Sequence, residues 1–237
     1  MGVLSGVIAD TPTFELILPS NGKRVEYRPF LVKEEKILLV ASESKNDKEI
    51  YRAMQDVVRA CTFGKLDIND SAMVDIEYLF IKIRAKSVGE TAKPQLKCSK
   101  CQVLNEISIN IDALEPKRDP KHITKIDLVK DKVVVEMRHP RFSDIERMQG
   151  IESQTERMFM LMALCIEKIH TPETTFVTKE LDINEVVDFL EKLTQNQFKT
   201  ISTFFETMPQ LTEEVNYKCK ACAAEETVVL KGAQDFF

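Results

Sequence analysis

The sequence is short of glycine, with seven in 237 residues, and it lacks long apolar runs. Nucleotide-binding loops need several glycines close together after a strand, so no phosphate-binding motif of that kind is present. The most apolar stretch, Met158 to Ile166, has nine residues and is followed by Glu167. A membrane-spanning helix needs about 18 or more apolar residues, so we expect no membrane span.

Two further absences concern charge and targeting. The net charge is −5, so no overall positive charge attracts nucleic acid, and such binding would have to come from a local basic site. The first 14 residues, MGVLSGVIADTPTF, lack the basic start and apolar segment of a secretory signal, and Gly6 stands where a myristoylation motif requires Ser or Thr. We therefore expect intracellular synthesis, where six cysteines are ligands or buried thiols rather than disulfides.

What is present is a normal share of hydrophobic residues, 43%, which is enough for a core without disulfides. Residues 13–30 alternate apolar and polar side chains around the turn sequence 19–22, which predicts a β-hairpin. Apolar periodicity then predicts three helices. The first helix begins at Lys33. The second spans Asp47–Cys61, with Asp47 as N-cap, and the third lies near Ser71–Arg84.

The pattern changes after Gly89 and Pro94. Residues 106–112 alternate and residues 132–139 are rich in valine, so both are predicted strands. From Ser143, which begins a capping box with Glu146, one apolar stripe predicts a helix as far as Ile169. A further helical stretch begins at Asp182 and ends before Pro209.

These elements predict an α+β protein with three regions. The N-terminal region, 1–90, holds the hairpin and helices. A split β region is formed by 91–142 together with 209–237, and residues 143–208 are a helical insertion between its two parts.

Two Cys-x-x-Cys pairs, Cys98/Cys101 and Cys219/Cys222, are separated by 117 residues. Each pair can place both sulfurs at about 2.3 Å from one zinc, and two pairs complete a tetrahedral thiolate site. Short extended stretches flank each pair, as in a zinc ribbon. The interval exceeds the ~15–20 residues of a compact ribbon, but loop closure costs only about 0.6 kcal/mol per doubling of loop length. We predict a structural zinc bound by Cys98, Cys101, Cys219 and Cys222 in a split zinc-ribbon-like region.

Other interpretations of the cysteine pairs stay open. A dithiol oxidoreductase needs a thiolate with a lowered pKa, usually at a helix N-terminus, whereas strands are predicted after both pairs. Uncoordinated buried thiols are a further interpretation. Four lysines lie beside the sulfurs in the sequence: Lys97, Lys100, Lys218 and Lys220. In one interpretation they are solvated surface residues that also balance the negative charge of the thiolates. In the other they form a nucleic-acid-binding site.

No catalytic group of residues is evident elsewhere. His122, His139 and His170 are isolated from one another in sequence and have no Ser or Cys partner in a known local signature. Cys61 and Cys165 fall on apolar helical faces, so they are predicted core residues.

Three apolar groups exceed what a helical core face needs. They are the methionines at 148, 158, 160 and 162, the adjacent Phe204 and Phe205, and the final Phe236 and Phe237. Each predicts either an exposed partner-binding surface or packing within the chain itself. For the final two phenylalanines, the alternatives are docking on a partner and packing on the protein's own ribbon.

Several dispersed motifs carry a family resemblance: YRPFLVKEEKILLVASES, FFETMPQL, VNYKCKAC and VVLKGAQDFF. With the N-terminal hairpin and the long helical middle, they make most of the chain resemble the baseplate hub family of T-even-type tailed bacteriophages. Members of that family are hub subunits or hub-assembly factors of a contractile tail.

The resemblance implies a non-enzymatic, protein-binding function with no catalytic residues. Its partners would be other baseplate hub and tail proteins, met in the host cytoplasm during assembly and extending to the tail baseplate of the virion. A nucleic-acid-binding zinc-ribbon accessory protein is the alternative function, and a dithiol oxidoreductase is the third.

Overall fold

The structure is a computed structural model that describes residues 11–44, 46–130 and 132–236, with Asp47 described in its backbone alone. Within these residues the chain forms seven α-helices and twelve strands, and every strand pair is antiparallel. The mixed α+β class predicted from the sequence is confirmed. The order is β1 (Phe14–Ile17), β2 (Arg24–Tyr27), α1 (Val32–Glu43), α2 (Asp47–Cys61), α3 (Met73–Ser87), β3 (Thr91–Ala92), β4 (Gln95–Lys97), β5 (Leu104–Glu106), β6 (Ile109–Asn110), β7 (Lys125–Val129), β8 (Val133–Met137), α4 (Phe142–Arg147), α5 (Gln154–Cys165), β9 (Ile166–His170), β10 (Thr175–Val177), α6 (Ile183–Glu191), α7 (Gln195–Thr207), β11 (Thr212–Lys218) and β12 (Glu225–Lys231).

These elements group into two compact units. Unit 1 is made from the described parts of Met1–Ile68, Val74–Pro116 and Leu211–Phe237. Unit 2 is made from Asn69–Met73 and the described parts of Lys117–Gln210. The three-region division predicted from the sequence stays a prediction. The units differ from it because strands β7 and β8 group with the helices that follow them.

Unit 1 begins with the predicted hairpin, which is confirmed: β1 and β2 pair from Phe14 with Tyr27 to Ile17 with Arg24. The three predicted helices follow as α1, α2 and α3. The N-cap of α2 is Asn46, whose side chain accepts a hydrogen bond from the Lys48 N–H at 3.1 Å. The predicted cap, Asp47, is therefore the first helical residue.

Helix α3 is buried along most of its length, including several charged side chains. A helix that is buried all round belongs to a core. Asp75 is fully buried, and its carboxylate accepts hydrogen bonds from the Ser20 N–H at 2.9 Å and from the Ser20 hydroxyl. Burial raises the pKa of Asp75, and the bonds from Ser20 oppose that rise.

The C-terminal segment of unit 1 packs against α3. Phe236 has no exposed surface, and the Ala233 N–H donates to the carboxylate of Glu77 on α3. Burial raises the pKa of Glu77 to about 7, against the lowering by that hydrogen bond. Phe236 therefore packs within the chain itself, which was one of the two predicted alternatives, and Phe237 lies outside the described residues.

Gly232, where the chain turns from β12 towards Phe236, is expected to disfavour a side chain. Its φ is +70°, and a Cβ there would lie 2.9 Å from Glu77 Oε1. Gly64 has nearly the same φ, +67°, but open space around it. Gly232→Ala should lower the free energy of unfolding by about 2–3 kcal/mol, and the control Gly64→Ala by about 1 kcal/mol. Equal losses in chemical denaturation would contradict the steric part of this prediction.

Unit 2 is a four-stranded sheet in the order β10-β9-β8-β7, covered by the helices α5, α6 and α7. The sheet supplies buried Ile, Leu, Val and Met side chains. The helices supply their counterparts, among them Phe204 of α7, which is buried. The core side chains are Ile126, Leu128, Val135, Met137, Met162, Ala163, Cys165, Ile166, Ile169, Val186, Leu190, Ile201 and Phe204.

The single long helix predicted from Ser143 to Ile169 is wrong. The chain breaks between α4 and α5, where Gly150 has a φ of +86°, and α5 ends at Cys165. From Ile166 the chain is extended as β9 and pairs with β8. The predicted capping box is wrong too, because it is the Asp144 carboxylate that accepts from the Arg141 N–H at 2.8 Å.

The predicted helical stretch from Asp182 divides into α6 and α7. The predicted start is confirmed: Asp182 is the N-cap of α6, and its side chain accepts from the Asn184 N–H at 2.9 Å. A second cap, Thr194, begins α7, which ends at Thr207 before Pro209 as predicted.

Among the residues that the structure describes, no helix is both long and apolar enough to cross a bilayer. Residues 1–10, which hold most of the segment used for the targeting expectation, lie outside the described residues.

Candidate metal centre

The first cysteine pair lies in a tight turn between β4 and β5. The Cys98 N–H donates to the Val103 carbonyl, and the Gln102 N–H donates to the Cys98 carbonyl, both at 3.0 Å. Gln102 takes a left-handed conformation with φ +62°. This turn, the first knuckle, directs both sulfurs to its inner side, as Cys-x-x-Cys metal sites require.

The second pair lies in a matching turn between β11 and β12. The Cys219 N–H donates to the Ala224 carbonyl at 2.8 Å, and the Ala223 N–H donates to the Cys219 carbonyl at 2.9 Å. Ala223 is left-handed with φ +55°. The second knuckle therefore repeats the backbone pattern of the first, residue for residue.

The two knuckles bring all four sulfurs together, within 4.8 Å of one another. Cys98 Sγ lies 3.7 Å from Cys222 Sγ, and Cys101 Sγ lies 3.5 Å from Cys219 Sγ. A tetrahedron with metal–sulfur bonds of 2.3 Å has sulfur–sulfur edges of about 3.8 Å. The four cysteines thus fit one tetrahedrally coordinated metal ion.

Backbone N–H groups and a carboxylate give the sulfurs different proton affinities. The N–H groups of Cys222 and Ala221 donate to the Cys219 sulfur and lower its pKa to about 6. The Cys101 N–H likewise lowers the pKa of Cys98, but the hydrogen bond with Glu226 and burial raise it further, to about 12. A metal ion at these sulfurs would compete with protons for them, because only the thiolate is a ligand.

Asn105, on β5, holds the second knuckle from the first hairpin. Its side chain is buried, and its carbonyl oxygen accepts from the Lys220 N–H at 2.9 Å. Its amide donates to the Val103 carbonyl at 2.9 Å and lies 3.6 Å from Cys219 Sγ. Such outer contacts orient metal ligands.

Glu226, on β12, holds the first knuckle from the second hairpin. Its carboxylate accepts from the Ser99 N–H at 2.9 Å and from the Ser99 hydroxyl at 3.0 Å, and it lies 3.0 Å from Cys98 Sγ. The Tyr217 hydroxyl donates to its other oxygen at 3.2 Å. Asn105 and Glu226 therefore form a reciprocal clamp, in which a side chain of each hairpin accepts a hydrogen bond from the turn of the other.

Neither clamp residue was singled out from the sequence. Asn105 had a weak signal, because it is the central residue of a short strand beside a cysteine turn, where alternation points one side chain inward. Glu226 had none, since it is one of two adjacent glutamates and its contact depends on a residue 127 positions away.

The elements that follow the two cysteine pairs also bear on the interpretation of the pairs as a redox site. Both knuckles continue into strands, β5 and β12, and no helix begins at either pair. The N-terminal helix position that activates the thiolate of a dithiol oxidoreductase is therefore missing at both pairs. The four lysines beside the sulfurs are all exposed, which both the counter-charge and the nucleic-acid interpretations require: Lys97, Lys100, Lys218 and Lys220.

The remaining cysteines behave as predicted. Cys61 and Cys165 have no exposed surface. Burial raises the pKa of Cys61 to about 11 and that of Cys165 to about 12, so both stay protonated thiols at neutral pH.

Two of the three histidines, isolated in the sequence, lie together in unit 2. His122 Nε2 is 3.2 Å from His139 Nε2, and His122 Nδ1 is 3.0 Å from the Thr207 hydroxyl. Phe204 packs on both rings. Burial, and after it the neighbouring His122, lowers the pKa of His139 to about 4. His170 lies apart from this pair, against Glu136.

Acidification is expected to destabilise unit 2 through this pair. The unfolded chain binds the proton of His139 near pH 6.5, but the folded chain only near pH 4, so stability is lost as pH falls between these values. Denaturation followed by circular dichroism should show a loss of up to about 3 kcal/mol between pH 6.5 and 4. His139→Gln should flatten this dependence and His170→Gln should keep it; the reverse pattern would contradict the assignment.

The surplus methionine and phenylalanine side chains of unit 2 are mostly internal. Met162 and Phe204 are buried, and Phe205 packs against the core. Met158 is partly exposed. The partner-binding surface that these residues suggested is thus mainly core.

Comparison with known proteins gives one match. Residues 11–237 match the family model described as T4 bacteriophage base plate protein. No curated protein and no solved structure matches the chain significantly. The family match confirms the resemblance to T-even-type baseplate proteins. The chain belongs to the T4 bacteriophage base plate protein family and is a structural component of a phage tail baseplate.

Proposed function

We propose that the chain is a non-enzymatic hub subunit or hub-assembly protein of the baseplate, and that Cys98, Cys101, Cys219 and Cys222 bind a structural zinc. The match of residues 11–237 to the baseplate family carries the proposal. Its partners are other baseplate hub and tail proteins. It meets them in the host cytoplasm during assembly.

The zinc assignment rests on the donor set. Four thiolates in a tetrahedron are typical of structural zinc, and they leave no coordination position open for a substrate. Each pair is preceded and followed by a strand of its own hairpin, which is the plan of a zinc ribbon. Zinc in such a site contributes folding free energy rather than catalysis.

Protein–protein contacts are supported by the outer face of α1. Val32, Leu39 and Val40 are 79%, 58% and 59% exposed, and their spacing places them on one side of the helix. The opposite side is anchored by Ala41 and by Glu34, which pairs with Arg28 at 3.0 Å. Clustered exposed apolar side chains mark interaction surfaces. We infer that this face of α1 contacts another baseplate protein.

Size-exclusion chromatography with the other hub proteins of the same phage tests the proposal. The wild-type chain should elute in a complex with at least one of them. Leu39→Glu with Val40→Glu should abolish the complex, because two charges would be buried without partners. Val88→Glu, at an exposed apolar position outside α1, is the matched control and should leave it intact. A wild-type chain that binds none of the hub proteins would contradict the proposal.

The alternative function, nucleic-acid binding, rests on the four exposed lysines. It predicts binding that weakens steeply with salt and is lost when Lys97, Lys100, Lys218 and Lys220 are changed to glutamine. The third function, dithiol oxidation and reduction, predicts activity in an insulin-reduction assay. Either result, without a hub complex, would replace the proposed function.

A further inference from the structure

A cavity of about 380 Å³ lies in unit 2, at the end of the sheet where β8 leaves, β9 begins and β10 ends. Its lining contains five cationic and two anionic side chains, in a chain whose net charge is −5. The charged lining residues are Arg138, Arg141, Arg147, Lys168, Lys179, Asp144 and Glu167. Positive charge is therefore concentrated at one concave site.

The deepest pair in this cavity is internally neutral. Arg138 donates two parallel hydrogen bonds to the carboxylate of Asp144, at 2.7 and 2.8 Å, and Asp144 also accepts from the Arg141 N–H at 2.8 Å. Asp144 is buried. Its negative charge is thus neutralised by Arg138 and does not neutralise the other cationic side chains of the cavity.

Only some of the outer cations have carboxylate partners. The Arg141 guanidinium lies 2.8 Å from Asp70, a mostly exposed carboxylate, and Lys168 Nζ lies 3.7 Å from Glu136. Within the described part of the chain, Arg147 and Lys179 have no ion-pair partner, and both are exposed. Glu167 offsets only part of this charge. Two cationic groups of the lining, Arg147 and Lys179, thus remain available to a ligand.

The rest of the lining is aliphatic. Ala163, Leu164, Ile166, Leu181 and Ile183 contribute, and none of the residues lining the cavity is aromatic. The cavity has the volume of a small-molecule site. An aliphatic wall suits a carbon skeleton, and the missing aromatic ring disfavours a stacked base.

We propose that this cavity binds a small aliphatic molecule carrying two or more carboxylate or phosphate groups. Arginine guanidinium groups bind both anions through paired hydrogen bonds. Positive charges that line a concave site produce a stronger local electrostatic potential than the same charges scattered over an open surface. The site is independent of the cysteine centre and of the proposed hub function.

Isothermal titration calorimetry at constant ionic strength tests the site, with citrate as the carboxylate probe and fructose 1,6-bisphosphate as the phosphate probe. At least one should bind saturably. Its affinity should fall about tenfold or more in Arg147→Gln with Lys179→Gln, which removes two exposed cations. Lys192→Gln with Lys199→Gln removes the same charge from exposed positions of unit 2 outside this cavity and should leave the affinity within about twofold.

The probe that binds identifies the ligand's anionic group. The proposal is overturned if neither probe binds, if Arg147→Gln with Lys179→Gln binds as tightly as the wild type, or if the control variant loses as much affinity. Hub complexes in chromatography are not affected by any of these outcomes, so the two proposals fail separately.

Discussion

Replacing Cys98 and Cys219 with serine is expected to release the metal and unfold both knuckles. The change removes one sulfur from each pair. The β4–β5 hairpin has only three residue pairs and the β11–β12 hairpin seven, and two-stranded hairpins are marginal in water without further support. Metal analysis should fall from about one zinc per chain to none. The unfolding midpoint should fall by roughly 10 °C or more, given the folding free energy that structural zinc supplies.

A matched control removes two cysteines that lie outside the site. Cys61→Ala with Cys165→Ala changes only core thiols, so it should keep the zinc even though it costs some stability. A purified wild-type chain without zinc would contradict the metal assignment. So would a Cys98→Ser, Cys219→Ser variant that retains it.

Phe236→Ala is expected to destabilise the isolated chain by about 3–5 kcal/mol. Phe236 is among the largest side chains with essentially no exposed surface, and the segment that carries it is held by the Glu77–Ala233 hydrogen bond and by a 2.9 Å bond between Tyr51 and Gln234. Truncation leaves a cavity that the surrounding segment fills only partly. Chemical denaturation of the purified chain measures the loss.

The control for this change is Phe176→Ala, because the ring of Phe176 is 43% exposed. It should cost less than about 1 kcal/mol. A wild-type-like unfolding curve for Phe236→Ala, together with a weakened hub complex, would instead favour docking of Phe236 on a partner.

The cysteine site was predictable because its signal is local. A Cys-x-x-Cys turn with an extended stretch on each side brings its own two sulfurs together, and the presence of two such pairs, which complete one tetrahedral thiolate set, predicted that they meet. The clamp was not predictable. The contact of Glu226 with Ser99 and that of Asn105 with Lys220 depend on how two distant hairpins face each other, and no periodicity records that.

The fold was predictable where one period dominates. The N-terminal hairpin and helices α1 to α3 have such patterns. The stretch from Met158 to Ile166 does not, because a continuous apolar run fits a buried helix and a buried strand equally well. Pairing of β9 with β8, including Ile169 opposite Val135, decides the conformation after Cys165. For Phe236 the sequence left docking and internal packing open, and its burial follows from the packing of the C-terminal segment, which a local pattern does not show.

The reciprocal clamp can form only after both knuckles have been synthesised, so the first knuckle waits for the second. Cys98 and Cys101 are made early, and 117 residues follow Cys101 before Cys219 appears. At typical synthesis rates this takes roughly 6–24 s. During that time the first knuckle has two sulfurs without their partners, and Ser99 has no Glu226 to hold it. The sulfurs of the first knuckle are therefore without those of the second throughout that interval.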